Sequence, residues 1–367
     1  MFDRRLVQYF DWGLLGAAFL LGLIGLIVLY SAVTAGTSNQ HNILYLKQIV
    51  WFCGGLTVMV VFFLFNYKIL DRWGVVIYLI CIILLVCVLI FGKYVGGSRR
   101  WLAVGPVTIQ PSELVKIAVI IILARHYSRY ANTNGLTLID LITPMALTVI
   151  PFALIVKQPD LGTAMLVLLL AASMTIFVKI EKRSFAYLMG GATITFPLIW
   201  FFLKGYQKQR IMTFLNPDRD PLGAGYHIIQ SKIAIGSGMI LGKGYLKGTQ
   251  NILSFLPEQH TDFILSVLAE EWGFTGSLFL LIVYLFLISR GLTIAYKCRD
   301  NFGTILCFGI TVMIFWQAFI NVGMVMGLMP VVGVPLPLIS YGGSSVITTM
   351  VGIGILMNVS MRRFMME

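Results

Sequence analysis

Runs of apolar residues about 20 positions long, separated by short polar or basic interruptions, recur from one end of the chain to the other. A helix needs about 20 mainly apolar residues to cross the hydrocarbon core of a bilayer. Ten stretches meet that length, at about residues 12–34, 47–66, 73–92, 111–129, 138–156, 161–179, 184–203, 262–289, 303–328 and 344–361. A membrane β-barrel would read as much shorter segments alternating apolar and polar residues. The pattern therefore predicts an all-α, polytopic membrane protein with ten transmembrane helices. Its one long interruption, about residues 204–261, is an outer loop between helices 7 and 8, and residues 1–367 read as a single transmembrane domain.

Composition agrees, with 58% of the 367 residues apolar and 11% charged. Basic residues set the orientation, because cytoplasmic loops carry the excess of Lys and Arg. With the N-terminus cytoplasmic, the inner segments hold fourteen, from Arg4 and Arg5 to Arg362 and Arg363, against five in the short outer loops. Both termini are then cytoplasmic. The first apolar run has no clear cleavage site and reads as a retained helix. Cys53, Cys81, Cys87, Cys298 and Cys307 have no disulfide or metal spacing, and neither do His41, His126, His227 and His260.

The net charge of +12 is mostly this inner signal, yet Lys and Arg also gather in outer residues 93–100 and 204–247. That excess suits an anionic, phosphate-bearing ligand. It does not suit nucleic acid, since the charges are scattered between apolar segments and no binding fold accompanies them.

Ionisable groups in such a chain are costly, roughly 2.5–3.5 kcal/mol at a helix centre, and usually mark a pathway or reaction site. Glu113, Asp160 and Asp262 each stand where a helix enters from the outer face. The first two follow Pro111 and Pro159, the pattern of proline at the first helical position. A carboxylate there is also favoured by the helix dipole, by roughly 0.3–1 kcal/mol, so Asp160 serves a structural or a functional reading equally. Glu113 has Lys116 three residues on, near enough to pair. Asp262 is the strongest candidate, with Glu258 and His260 beside it. Farther along, Glu270 loosely shares its face and Glu271 points almost opposite, which suits structural acids or partners for distant basic residues.

Three further segments carry polar chemistry. Gly333 to Ser345 joins Gly-Gly to hydroxyls, including Ser340, and its N–H groups suit an anion or a packed re-entrant turn. Arg99, Arg100 and Arg210 lie on the outer face, where a guanidinium grips phosphate oxygens in pairs; Arg100 reads more simply as an interfacial anchor. Gly238 to Lys243 falls one residue short of a phosphate-binding loop and lacks its hydroxyl. Residues 226–235 have a mixed pattern that suits the membrane interface.

Gly97 to Leu102, Gln110 to Glu113, Gln158 to Thr163, Asp220 to Tyr226, Leu256 to Phe263 and Ser340 to Ser344 occur in an order that covers nearly the whole chain. Together they resemble the SEDS family of cell-wall polymerases, most closely its elongation-type branch. The resemblance implies a peptidoglycan glycosyltransferase that polymerises lipid II, an undecaprenyl-pyrophosphate disaccharide-pentapeptide, at the outer face of the bacterial cytoplasmic (inner) membrane. It implies Asp262 as the catalytic carboxylate and ties Trp101, Glu113, Lys116 and Glu258 to activity or substrate handling. Asp160, Arg99, Arg210 and Ser340 complete the candidate substrate contacts.

A carboxylate can take the proton of an attacking sugar hydroxyl. Basic residues or a divalent cation, magnesium or manganese, must offset the charge on the departing pyrophosphate. No transpeptidase signature is present, so crosslinking must come from another chain; the resemblance implies a class B penicillin-binding protein, together with other elongation-complex membrane proteins. A flippase of the same lipid-linked precursor fits the ten helices as well, and a scaffold for the transpeptidase is the third class.

Overall fold

The computed structural model describes residues 9–34, 40–95, 98–105, 107–129, 135–202, 205–216, 224–253, 255 and 259–362. Every one of the ten apolar stretches contains a helix. Before the long loop come α1 (Trp12–Thr34), α2 (Gln40–Leu64), α3 (Lys68–Phe91), α4 (Pro111–Arg129), α5 (Leu138–Lys157), α6 (Leu161–Phe177) and α7 (Lys182–Phe202). The loop itself folds as α8 (Gly205–Leu215), α9 (Ala224–Ser237) and the single turn α10 (Thr249–Ile252). Then follow α11 (Ile264–Lys297), α12 (Asn301–Val325) and α13 (Gly343–Arg362). Among the described residues, α1, α2, α3, α5, α11, α12 and α13 are long and apolar enough to cross a membrane, and α6 is a shorter apolar helix. The protein is a mostly helical, polytopic membrane protein.

Two features add detail to the all-α expectation. The fold is not purely helical, because residues 93–109 form a small antiparallel sheet of β1 (Lys93–Val95), β2 (Ser98–Val104) and β3 (Val107–Ile109) in that order. Val104 pairs with Val107, which leaves a two-residue turn, and Gly105 takes the positive φ of 64° that such a turn requires. The 204–261 segment is likewise not a plain loop. Its α9 packs on α11 and α12, and Ser231 donates to the Val325 carbonyl at 2.6 Å and bonds Ser266 at 2.8 Å.

Burial separates core helices from peripheral ones. The apolar stretch of α13 is 94% buried inside the protein, against 22% for α2 and 28% for α3 and α5. α13 packs chiefly on α2, α11 on α12 and α1, and α4 on α3 and α12. In an apolar medium every backbone polar group needs an internal partner. Pro151 inside α5 removes the N–H that would reach the Leu147 carbonyl. The Tyr78 phenol on α3 donates to that carbonyl instead, at 2.9 Å.

α11 shows the same rule at larger scale. Gly273, at φ 67° and ψ −160°, breaks it into a short first half and a long second half. The glycine-rich 238–244 segment repairs the break: the Lys243 and Gly244 N–H groups donate to the Glu270 and Glu271 carbonyls, both at 3.0 Å. In return Phe274 and Thr275 donate to Met239 and Ile240, at 2.9 and 3.1 Å. A Cβ on Gly242 would stand 2.1 Å from the Glu271 carbonyl oxygen, so only glycine admits this approach.

Candidate functional site

The described polar segments meet at one end of the bundle. The N-terminal ends of α4, α6 and α13, the segments leading into α11 and α13, Trp51 of α2, Arg210 of α8 and the small sheet surround a cavity of about 480 Å³. Its wall includes Asp262, Glu113, Asp160, Arg100, Trp101 and Arg210. Residues far apart in sequence, from Trp51 to Ser345, thus share one space.

Asp262 lies two residues before α11, whose cap position is Phe263. Its backbone is fixed. The wholly buried Asn321 of α12 donates from Nδ2 to the carbonyls of Asp262 at 2.9 Å and Val334 at 2.8 Å. The Ser340 hydroxyl donates to the Thr261 carbonyl at 2.6 Å and accepts from the Leu336 N–H at 2.8 Å, while Tyr341 N–H donates to the His260 carbonyl at 3.0 Å. Two separate elements therefore hold residues 260–262. Gly333, at φ 73°, completes the wall, and a Cβ there would stand 3.3 Å from Asp262 Oδ2. Burial pushes the Tyr341 phenol above its ordinary pKa, so it stays a proton donor at neutral pH.

Asp160 is also on the wall but differently engaged. It is the cap of α6, accepting from Thr163 N–H at 3.3 Å and from the Thr163 hydroxyl at 3.0 Å. Gln110 and Ser112 donate to its Oδ2 at 3.1 and 3.4 Å. Helix α6 begins at Leu161, so Pro159 precedes the cap and is not the first helical residue. Pro111, by contrast, does open α4. Arg100 lies 4.0 Å from Asp160 and donates to the Gln158 and Pro159 carbonyls. It lines the cavity, which corrects its reading as an interfacial anchor.

Lys116 is fully buried, with Nζ 2.8 Å from both oxygens of Glu113. The pair is closed on itself, and only Glu113 reaches the cavity wall.

The chain matches the family model for FtsW, RodA and SpoVE, described as cell cycle protein, over residues 11–364. It belongs to that family. It is 44% identical to the peptidoglycan glycosyltransferase MrdB of Escherichia coli K12, over 95% of this chain and 94% of that one. It is 34% identical to the peptidoglycan glycosyltransferase RodA of Treponema pallidum, over 98% and 99%. A chain from a solved peptidoglycan synthase complex, which coordinates polymerization and crosslinking, superposes with a TM-score of 0.82 at 30% identity, covering 97% of this chain and 98% of its own. The crystal structure of Thermus thermophilus RodA superposes with a TM-score of 0.72 at 27% identity, over 97% and 98%.

Of the residues singled out in this FtsW/RodA/SpoVE member, Asp262, Trp101, Glu113, Asp160 and Arg210 share the cavity wall. Others do not. Arg99 is exposed on β2 and absent from the wall, and Ser340 is buried behind it, holding Thr261 and Leu336. Lys116 stands behind Glu113, and Glu258 lies outside the described residues. The Gly342 N–H is already given to Gln48 Oε1 at 3.2 Å, and a Cβ on Gly343 would meet the Trp51 ring at 2.3 Å. Gly343 thus makes room for the Trp51 ring. An anion here is favoured instead by the N-terminus of α13, whose Ser344 and Ser345 are on the wall.

Trp51 and Asn321 lie outside every segment singled out in the sequence, whereas Tyr341 and Ser345 fall within Gly333 to Ser345. Trp51 sits in an apolar run with no local signal, but Asn321 is a lone amide in such a run, and a buried amide must be bonded. Among the described residues no group of three or more His, Cys, Asp or Glu is placed to hold a metal ion. The oxygens of Asp160 and Glu113 accept from Gln110, Ser112, Thr163 and Lys116.

Proposed function

We propose that this chain is a peptidoglycan glycosyltransferase that polymerises lipid II into glycan strands during cell elongation. The observation that carries the reading is one cavity wall joining a carboxylate, Asp262, to two guanidinium groups, Arg100 and Arg210, and an indole, Trp101. The relatives' names and the likeness to a peptidoglycan synthase complex support it.

In this reading Asp262 takes the proton of an acceptor sugar hydroxyl as its oxygen attacks the donor's anomeric carbon. A glycosidic C–O bond forms and the bond to the lipid pyrophosphate breaks, with its electrons leaving on the phosphate oxygen. Arg100, Arg210 and the start of α13 offset that charge. The α-linked donor inverts to a β-1,4 product. No step is assigned to a divalent cation. Asn321 and Ser340 hold the Asp262 segment, and Glu113 with Lys116 forms part of the supporting wall.

The site end faces the outer side of the bacterial cytoplasmic membrane, with ten spanning helices, both termini cytoplasmic and residues 1–367 as one unit. A class B penicillin-binding protein crosslinks the strands, and other elongation-complex membrane proteins join it. Purified protein given labelled lipid II tests the reading. Glycan polymer supports it; translocation without polymer means a flippase, and neither means a scaffold.

A further inference from the structure

A second cavity lies at the opposite end of the bundle, between α3, α4 and α5. It measures about 580 Å³, within the usual range for small-molecule sites. Its walls divide by chemistry. Val75, Leu79, Ile122 and Leu147 form an apolar slot, and Arg125, His126 and Arg129 stand at its head. Val75 and Leu79 are exposed on the outside of the bundle, so the slot opens sideways toward the bilayer.

The head of the slot has a cost that the protein alone does not offset. Arg125 and Arg129 are four residues apart on α4, where like charges destabilise a helix. Arg125 is held in place by its Nη1, which donates to the Asp71 and Arg72 carbonyls at 2.6 and 2.9 Å, with Nε 4.0 Å from the Asp71 carboxylate. The other acid nearby, Asp140, is occupied by the Thr137 N–H and hydroxyl at 2.9 and 2.7 Å. Arg129 is exposed and forms no ion pair with a described residue. One carboxylate, Asp71, lies near Arg125, and Arg129 adds a second guanidinium to the same wall, so the missing charge is negative.

We propose that this slot binds one anionic phospholipid, its phosphate between Arg125 and Arg129 and one acyl chain along Val75, Leu79 and Leu147. The charge calls for a phosphate, and the sideways apolar opening calls for a chain attached to it, which free phosphate lacks. Basic pockets between membrane helices hold anionic headgroups by this combination.

Native mass spectrometry of the purified protein with phosphatidylglycerol and with phosphatidylcholine of the same chains tests this. Wild type is expected to retain one phosphatidylglycerol about tenfold more tightly than phosphatidylcholine, as a charge-assisted phosphate contact predicts. Arg129→Gln, at an exposed position, is expected to remove most of that preference. Leu79→Trp, which fills the slot and keeps every charge, is expected to lower phosphatidylglycerol retention as well. Equal retention of the two lipids in wild type overturns the proposal in favour of ordinary boundary lipid. Displacement by excess inorganic phosphate, or indifference to Leu79→Trp, overturns it in favour of a simple anion site.

Discussion

The first half of α11 is bounded by carboxylates at both ends, and they have opposite fates. At one end the Asp262 side chain is on the cavity wall, while its backbone carbonyl is held by Asn321. At the other, Glu270 and Glu271 are buried at the Gly273 break. Glu270 Oε1 takes Lys243 Nζ at 2.7 Å, the Thr249 hydroxyl at 3.0 Å and the Gln250 N–H at 3.1 Å. Glu271 takes the hydroxyl of Ser31, far away on α1. A buried carboxylate with one oxygen held by several protein donors fastens a loop. Asp262 instead lines the cavity, which is what its proposed role as a base requires.

That contrast predicts the largest effect at Asp262. Asp262→Asn keeps the shape and removes the base, so polymerisation by the purified protein is expected to fall 10²- to 10⁴-fold, roughly the contribution of general base catalysis. Its thermal unfolding is expected to stay at the wild-type temperature. A near-wild-type rate in this variant would remove Asp262 from the chemistry and erase the difference between the two ends.

Next comes another acid of the cavity wall, Glu113. Because Lys116 is fully buried against it, Glu113→Gln or Lys116→Met alone leaves an uncompensated charge, a loss of roughly 3–5 kcal/mol. The double substitution removes both charges and is expected to be less damaging than the sum of the singles. The measurement is a double-mutant cycle on unfolding in detergent, and simple additivity would mean that the two side chains do not act as a pair.

Glu270→Gln is expected to act through stability. Its partner Lys243 is partly exposed, so screening discounts the ion pair, and the lost charge-assisted bonds amount to about 1–3 kcal/mol. Hydrogen exchange is expected to quicken in residues 238–253, the segment that these bonds fasten. If polymerisation vanished while unfolding and exchange stayed at wild-type values, Glu270 would belong with Asp262, and the comparison would collapse.

Much of this was legible in the sequence, and the rest was hidden for identifiable reasons. Helix positions follow from apolar run length, which membrane thickness fixes, and Glu113–Lys116 follows from spacing along one helix. The pairing of Glu270 with Lys243 was foreseen only as a basic partner elsewhere, since loop closure over 27 residues leaves no local trace. A face shared by Asp262 and Glu270 needs one continuous helix, whereas Asp262 precedes it. The Arg100 contact and the burial of Ser340 behind the wall are tertiary facts, as is the small sheet, whose strands are only 3 to 7 residues long. Short strands give little periodicity to read.

The smallest expected effect sharpens the distinction between holding a catalytic group and being one. Asn321 touches the cavity only through the backbone carbonyls of Asp262 and Val334. Asn321→Ala leaves the Asp262 carboxylate in place but lets its segment shift, at the net value of about one hydrogen bond, 0.5–1.5 kcal/mol. The expected result is a fall in kcat of about tenfold or less, with KM for lipid II little changed, because the lost interaction positions the base and does not bind substrate. A merely structural role would lower the amount of folded protein and leave the turnover of the folded fraction intact. Single-turnover rates normalised to folded protein separate the two. Unchanged normalised kcat would leave Ser340 and the 333–343 segment as sufficient to hold Asp262.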